Sequence, residues 1–445
     1  MSLWPSPWPA EDGGPARLQT PRGIAGPGLA GGERLQVTSR DALASTMCVL
    51  REPGEVFLLR HSLGPHGADD PVETWVERID PLTLEPLGCS RRLEAGPFWP
   101  GGLAAHANGS LYVTAGRWCH RLSSDLRVLA SRELPRPRPY NSLAVLACGA
   151  LVMKDLDRST GTRTTLTVLD PEALEPLAPP VEAPEPSIAR LSAFENTVYL
   201  VGDHTISRWA WDGVRLARDE AWELRYRTRP EQSYGWDVAL SGGHAWFMDN
   251  GDHAYVTTML GAGTARGPVH LVRVSLADAS DHELVPVCGL AGGAITNPPL
   301  FDPQRQVAVA YDSANGVLAA FRFQAGGLEP LWQSPYATAG HLLLFGDTGE
   351  LVAYDFHAPP GARTRMARSV GARGARLVLS RRFRRLAAGL AHEDVLVLDV
   401  ETGVERGRAS VPTLFQSVLF PCPGWDRDVY YCSFSTVARI AATRS

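Results

Sequence analysis

Of the 43 basic side chains in this 445-residue sequence only one is a lysine, Lys154, in the stretch ALVMKDLDRS at residues 150 to 159. A primary amine can titrate near neutrality, attack a carbonyl or form a Schiff base, which an always-charged guanidinium cannot do. Asp155 beside it belongs to a series. The phrases VMKD, LVGD, WFMD, VAYD and VAYD end at Asp155, Asp203, Asp249, Asp312 and Asp355. Carboxylates converging on one mouth would raise one another's proton affinity and so supply a general acid or base, or would bind a hard cation such as Ca²⁺ or Mg²⁺. Each taken singly has a plainer role, accepting backbone N–H bonds at a strand end. Lys154 likewise reads either as an ammonium serving that mouth or as the chance survivor of an arginine-rich background.

Other groups carry chemistry of their own. In WFMDNGDHAYVTTMLGAG, Asp249, Asp252 and His253 open a long loop. His341 precedes an apolar run that ends at Asp355, a spacing that suits a hydrogen-bonded pair across a hairpin, and His106 sits within another such run. Asn141, Asp237, Asn297 and Gln416 stand, like His341, at the heads of apolar runs. Between Phe356 and His392 there are nine arginines and no acidic residue, on a chain of net charge −5. That segment is either a solvated loop or an anion-binding element.

The elements that must position these residues repeat. A short apolar strand, a Gly- or Asp-containing turn and a second apolar strand recur from Ser45, Gly101, Tyr140, Pro186, Gly235, Asn297, Gly340 and Gln416. Most are followed by a second hairpin with a tight reversal, as in IDPLTLEPLG and LDPEALEPLA. Two hairpins per unit is the pattern of a β-propeller blade. The expected fold is therefore all-β, a single propeller over residues 34–445, with eight blades favoured and seven left open by the Arg-rich insertion at about 356–392. The eighth unit lacks a last strand, which GERLQVTS near residue 35 can supply from the N-terminal side. Residues 1–33, rich in Pro and Gly, read as a flexible leader draped over one face. In such a ring the heads of the first strands and the ends of the second strands open on one face. Lys154, the aspartates and the Asn, Asp, His and Gln positions then surround one polar funnel.

Composition narrows the class. Net charge −5 argues against a general nucleic-acid partner, and no apolar run has the ~20 residues of a membrane span. Seven cysteines without a CxxC pair suit reduced thiols that pack in the core, and the first residues show no secretory pattern, so a cytoplasmic location is expected.

The hairpin YNSLAVLACGALVMKD resembles those of the SMP-30/gluconolactonase group, the strictosidine-synthase-like proteins and quinoprotein-type propellers. That likeness implies a divalent cation at the channel mouth, with Asn141 and Asn297 as ligands and Asp237 as their acidic companion. The phrases RIDPLTLEPLG and SVLFPCPGWDRDVYYCSFS are similar to carotenoid cleavage oxygenases, which would imply iron on axial histidines, His106 among them. The expected protein is a small-molecule enzyme. Its catalytic groups would be Lys154, Asp155, Asp249, His253 and His341; its substrate would meet His106, Asn141, Asp237, Asn297, Asp312, Asp355 and Gln416; a Ca²⁺ or Mg²⁺ ion would have Asn141, Asp237, Asn297 and Asp249 as candidate ligands. Hydrolysis or isomerisation of a lactone-like substrate is the leading reaction. A Mg²⁺-dependent cyclase or lyase acting on an isoprenoid diphosphate is the second. The rival class is a scaffold that docks a protein partner through the Arg-rich segment.

Overall fold

The computed structural model describes residues 2–29, 33–62, 72–97, 99–156, 161–255, 257–357, 380 and 391–444. Among them the strands form eight antiparallel sheets, seven of four strands and one of five, and the first strands of successive sheets lie against one another around an axis. The protein is an eight-bladed β-propeller. Blade 3 shows how sequence makes a blade. Its first three strands, Tyr140–Val145, Leu151–Asp155 and Thr165–Leu169, are buried throughout because sheets flank both of their faces. At the rim the pattern turns to alternation, as in Val128–Glu133, the outermost strand of blade 2.

The D-P-x-x-L reversals work as their composition suggests. Asp80 Oδ1 accepts the amides of Leu82 and Thr83 at 2.9 and 2.8 Å, and Asp170 Oδ1 accepts those of Glu172 and Ala173 at 2.9 and 2.7 Å. Leu84 and Leu174 follow in the left-handed region, at φ 65° and 57°, and both are fully buried. Apolar burial holds a conformation that leucine otherwise avoids.

The ring closes as expected. Glu33–Asp41 runs antiparallel to Thr436–Arg444, from Glu33 opposite Arg444 to Asp41 opposite Thr436, and completes blade 8. The closure is apolar at its heart: Cys48 and Leu50 of blade 1 share a buried cluster with Val429, Tyr430 and Cys432 of blade 8. Not every cysteine packs inside, since Cys89 and Cys148 are exposed. No helix among the described residues is long and apolar enough to cross a membrane. In blade 7 the second and third strands, Glu350–His357 and His392–Asp399, pair directly, so the Arg-rich insertion leaves and rejoins the blade between them. The insertion itself lies almost wholly outside the described residues.

The leader departs from expectation. It does not drape loosely but enters the axis, with Trp8 completely buried and Glu11, Asp12, Arg17 and Gln19 buried with it. Its carbonyls take amides from the first strands of five blades. Leu50 donates to Trp8 O at 2.8 Å, Ala105 to Pro9 O at 2.7 Å, Ala193 to Pro15 O at 2.7 Å, Leu240 to Ala16 O at 2.8 Å and Leu344 to Gln19 O at 2.8 Å. The physical reason is the open edge of each first strand, whose amides face the axis and need acceptors once buried. Proline suits this task because it offers a carbonyl without an N–H of its own to satisfy. Replacing Trp8 with alanine should cost about 3–5 kcal/mol through the cavity it leaves. A urea-unfolding series would measure this, and a loss below about 1 kcal/mol would show that the leader does not brace the ring.

Candidate functional site

The axial region is a buried, charged plug. Arg17 reaches Asp12 Oδ2 at 2.8 Å and Glu11 Oε1 at 2.5 Å, and its Nε donates to Leu191 O at 3.1 Å. Arg190, just upstream of the first strand of blade 4, contacts Glu11 Oε2 at 2.7 Å and donates to Pro100 O at 2.8 Å and to Asn141 O. His341 Nδ1 lies 2.9 Å from Asp12 Oδ1, and the ring stacks on Phe420 at 4.0 Å. Burial alone would raise the Asp12 carboxyl, but His341 and Arg17 outweigh it and bring it below the ordinary value. His61, pressed against Thr46, is driven down to about 3 by burial and by the charge of Arg190, so it is neutral. Such a network holds together only while every member keeps its partner, since a buried charge left alone is costly.

The polar residues at the heads of the first strands lie beside this plug, and their bonds hold blades together. Asn141 Nδ2 donates to Ile188 O of the next blade at 2.8 Å. Asp237 Oδ1 accepts the Arg190 amide at 2.6 Å from the blade before it. Asn297 Nδ2 donates to Ala339 O at 2.6 Å and Val418 O at 3.2 Å, linking blades 6, 7 and 8. Gln416 Nε2 donates to Ala337 O at 2.6 Å, while its Oε1 accepts from Met259 N at 2.6 Å and Thr258 Oγ1 at 2.9 Å. These are staples between neighbouring sheets.

Four of the five aspartates make their hydrogen bonds within their own blades. Asp155 ties its own blade, accepting the Thr165 amide at 2.5 Å and Arg138 at 2.5 Å. Asp249 does the same in blade 5, accepting the His270 amide at 2.6 Å, His270 Nδ1 at 2.8 Å and Gln232 Nε2 at 2.7 Å. Asp312 Oδ1 accepts the amides of Ala294 and Asn315 at 3.2 and 3.1 Å. Asp355 Oδ1 accepts the Ala337 amide at 3.0 Å. Asp203 is half-buried beside Glu185, and burial and that neighbour raise its proton affinity. A backbone amide is the commonest partner, so the expected acid–base ring is replaced by strand-end anchors.

The histidines serve three separate structural roles. His341 pairs with Asp12 of the leader and not with Asp355 across its hairpin. His106 lies at the hairpin turn of blade 2, where Nε2 meets Gly149 O at 3.0 Å and Nδ1 accepts the Asn108 amide at 3.1 Å. It therefore belongs to the opposite face from the funnel, and its two ring nitrogens already serve loop backbone. His253 stacks on Trp236 at 6.1 Å, and its Nδ1 accepts the Tyr255 amide at 3.2 Å. The segment it opens folds across the axis, where Tyr255 Oη donates to Gln416 O at 2.8 Å and Met259 is buried among Ala294, Ala314 and Ala339. Leader and loop thus fill the axis from opposite faces.

Lys154 is fully buried, and its Nζ donates to Ser187 O at 2.9 Å. Burial pulls it down from the lysine range to about 7, against the opposing charges of Asp155 and Asp237. A cavity of about 580 Å³ lies elsewhere, on the hairpin-turn face, lined by leader residues with Phe194 and Leu240. None of the nominated residues lines it. The groups missed from sequence are Glu11, Asp12, Arg17 and Arg190. Two acids and an arginine within EDGGPAR, in a segment carrying tryptophans, were the available signal. The Ser and Thr hydroxyls upstream of first strands were another, since Ser187, Thr338 and Ser417 each donate at 2.6 Å to the carbonyl of Val201, Tyr354 and Cys432 respectively, in the second strand of their own blade.

No protein-family model matches the chain, and no curated protein sequence does. Solved structures match over nearly its whole length. The quinohemoprotein alcohol dehydrogenase ADHIIG from Pseudomonas putida HK5 superposes with TM-score 0.58 at 9% identity, covering 99% of this chain and 81% of that one. The quinohemoprotein alcohol dehydrogenase from Comamonas testosteroni gives 0.57 at 12%, covering 97% and 80%. BamB from Moraxella catarrhalis gives 0.52 at 12%, covering 91% and 99%. At such identities the likeness is one of fold, and it agrees with the quinoprotein-type resemblance of the hairpins. Eight blades and the position of His106 set aside the carotenoid-oxygenase likeness.

Two outcomes test the lysine's setting. An amine-directed reagent should leave Lys154 unmodified in the folded chain and modify it after unfolding, as read by peptide mass. Between pH 7 and 9 the folded amine is largely neutral while the unfolded chain still takes the proton, so this residue's contribution makes stability rise with pH. The stability difference between the wild type and Lys154→Met should grow in that direction, and a flat difference would contradict it.

Proposed function

We propose that the protein is a binding propeller that docks an acidic protein partner through the face from which the Arg-rich segment emerges. The observation that carries this reading is the filled axis: the leader and the 249–269 loop occupy the place where a funnel site would lie, and the nominated polar groups are engaged in holding blades. What remains distinctive is charge. Nine arginines without an acid, on a body of opposite net sign, are suited to an acidic surface, and guanidinium forks pair with carboxylates in two-pronged fashion. The scattered thiols make a reducing, cytoplasmic setting part of the same proposal.

A catalytic reading has one observation in its favour, the poise of Lys154 near 7, where an amine serves as an acid–base group. In that reading hydrolysis or isomerisation of a lactone-like substrate, or cyclisation of an isoprenoid diphosphate, would need access to the fully buried Lys154. Amine labelling separates the two, because a lysine that reacts in the folded state favours catalysis.

The docking proposal is tested by exchanging the nine arginines for serine at unchanged length and comparing co-purified proteins. The wild type should retain an acidic partner that is released as salt rises from about 0.1 M to about 1 M, where the Debye length falls from ~10 to ~3 Å. The exchanged chain should fold and retain none. Equal retention by both, or none by the wild type, rejects the proposal.

A further inference from the structure

Blade 7 brings together four side chains that the sequence reading, apart from Asp355, did not single out. In the register of Glu350–His357 against His392–Asp399, Asp355 faces Asp394 and His357 faces His392. Successive residues of a strand alternate sides, so these two pairs are neighbours on one face of the ladder. Glu393 between them points the other way, accepting from Ser417 N at 2.8 Å and Tyr431 Oη at 2.5 Å.

The imidazoles and carboxylates of the quartet stand at ion-pair distances, and three of them offer ligand atoms to one point. His357 Nε2 stands 3.2 Å from Asp355 Oδ2 and 3.3 Å from Asp394 Oδ2, yet this buried atom makes no hydrogen bond among the described residues. His392 Nε2 is 3.8 Å from Asp394 Oδ1, and the two imidazoles stack at 4.8 Å. One donor atom from each of His357, His392 and Asp394 falls within 4.8 Å of the others. Nitrogen and oxygen ligands at ~2.0 Å from a tetrahedral ion stand about 3.3 Å from one another. That is the spacing around His357 Nε2.

We propose that His357, His392 and Asp394 bind one divalent ion of the zinc type, with Asp355 as the second carboxylate beside His357 Nε2. Two imidazole nitrogens favour a borderline ion over Ca²⁺ or Mg²⁺, which take oxygen ligands. The surroundings orient the carboxylates as outer partners do at such centres. Ser410 Oγ donates to Asp394 Oδ1 at 2.5 Å, and the Ala337 amide fixes Asp355 Oδ1 at 3.0 Å. Arg408 Nη1 lies 2.7 Å from Asp394 Oδ2, a charge that opposes the ion. It is offset by Glu405, whose Oε2 lies 2.7 Å from Arg408 Nη2, and a carboxylate oxygen has a second lone pair to offer. The ion would pin the two strand ends between which residues 358–391 run, a staple across a long chain excursion.

The test is zinc binding by the full chain after chelator treatment, followed by calorimetry and metal analysis. One Zn²⁺ per chain is expected, with affinity lowered at least about tenfold in His357→Ala and in His392→Ala. Millimolar Ca²⁺ or Mg²⁺ should not displace it, and Co²⁺ in its place should give the intense visible bands of a tetrahedral site. Zinc should also raise the melting temperature of the wild type but not of the variants, whose far-ultraviolet dichroism in chelator reports that they fold. Should either variant misfold, His392→Gln replaces it with a milder change at a half-exposed ring. Absence of zinc binding by the intact chain, unchanged binding in the double histidine variant, or loss of binding in Cys89→Ser/Cys148→Ser instead overturns the assignment.

Discussion

The open inner edge of each blade is the constraint on which this molecule depends. Eight first strands turn one edge toward a common axis, and the amides along those edges cannot be buried without acceptors. Water filling a channel would meet the need. Here the chain's own leader meets much of it, with carbonyls of Trp8, Pro9, Pro15, Ala16 and Gln19. Charge follows from that choice. Once the leader occupies the axis, its Glu11, Asp12 and Arg17 must find partners out of water, and Arg190 and His341 become the blade residues that supply them.

The same constraint explains why the polar heads of the first strands are staples. Asn141, Asp237, Asn297 and Gln416 sit where successive blades converge, and there a side chain that bonds to a neighbouring blade's backbone fixes the angle between sheets. Lys154 belongs to this set by geometry. Its amine bonds to a carbonyl of blade 4, between Asp155 and the axial charges, in a place where a guanidinium would need room for five donors. Compactness is thus a sufficient physical reason for a lysine there.

The blade repeat was legible because two half-buried strands and a tight turn leave a strong pattern, repeated often enough to count. Ring closure by residues near 35 was legible because the last unit was short of a strand. The leader was not. Pro and Gly weaken any periodic signal, and the segment draws its order from carbonyls meeting amides of five distant strands, which no local pattern encodes. The aspartates misled for a related reason: recurrence at one place in each blade is equally the mark of a repeated anchor and of a convergent site. The quartet in blade 7 escaped notice because His357 and His392 are far apart in sequence and become neighbours only through strand register.

The leader's bonds reach across the whole chain, with Gln19 accepting the amide of Leu342 at a sequence separation of 323. Residues made before any of the eight blades are therefore among the last to find all their partners, as are those of the closing strand. Such non-local pairing makes for slow assembly and leaves first-strand edges exposed in the interim. The axle of the finished ring is, during synthesis, a tail waiting for the wheel to be built around it.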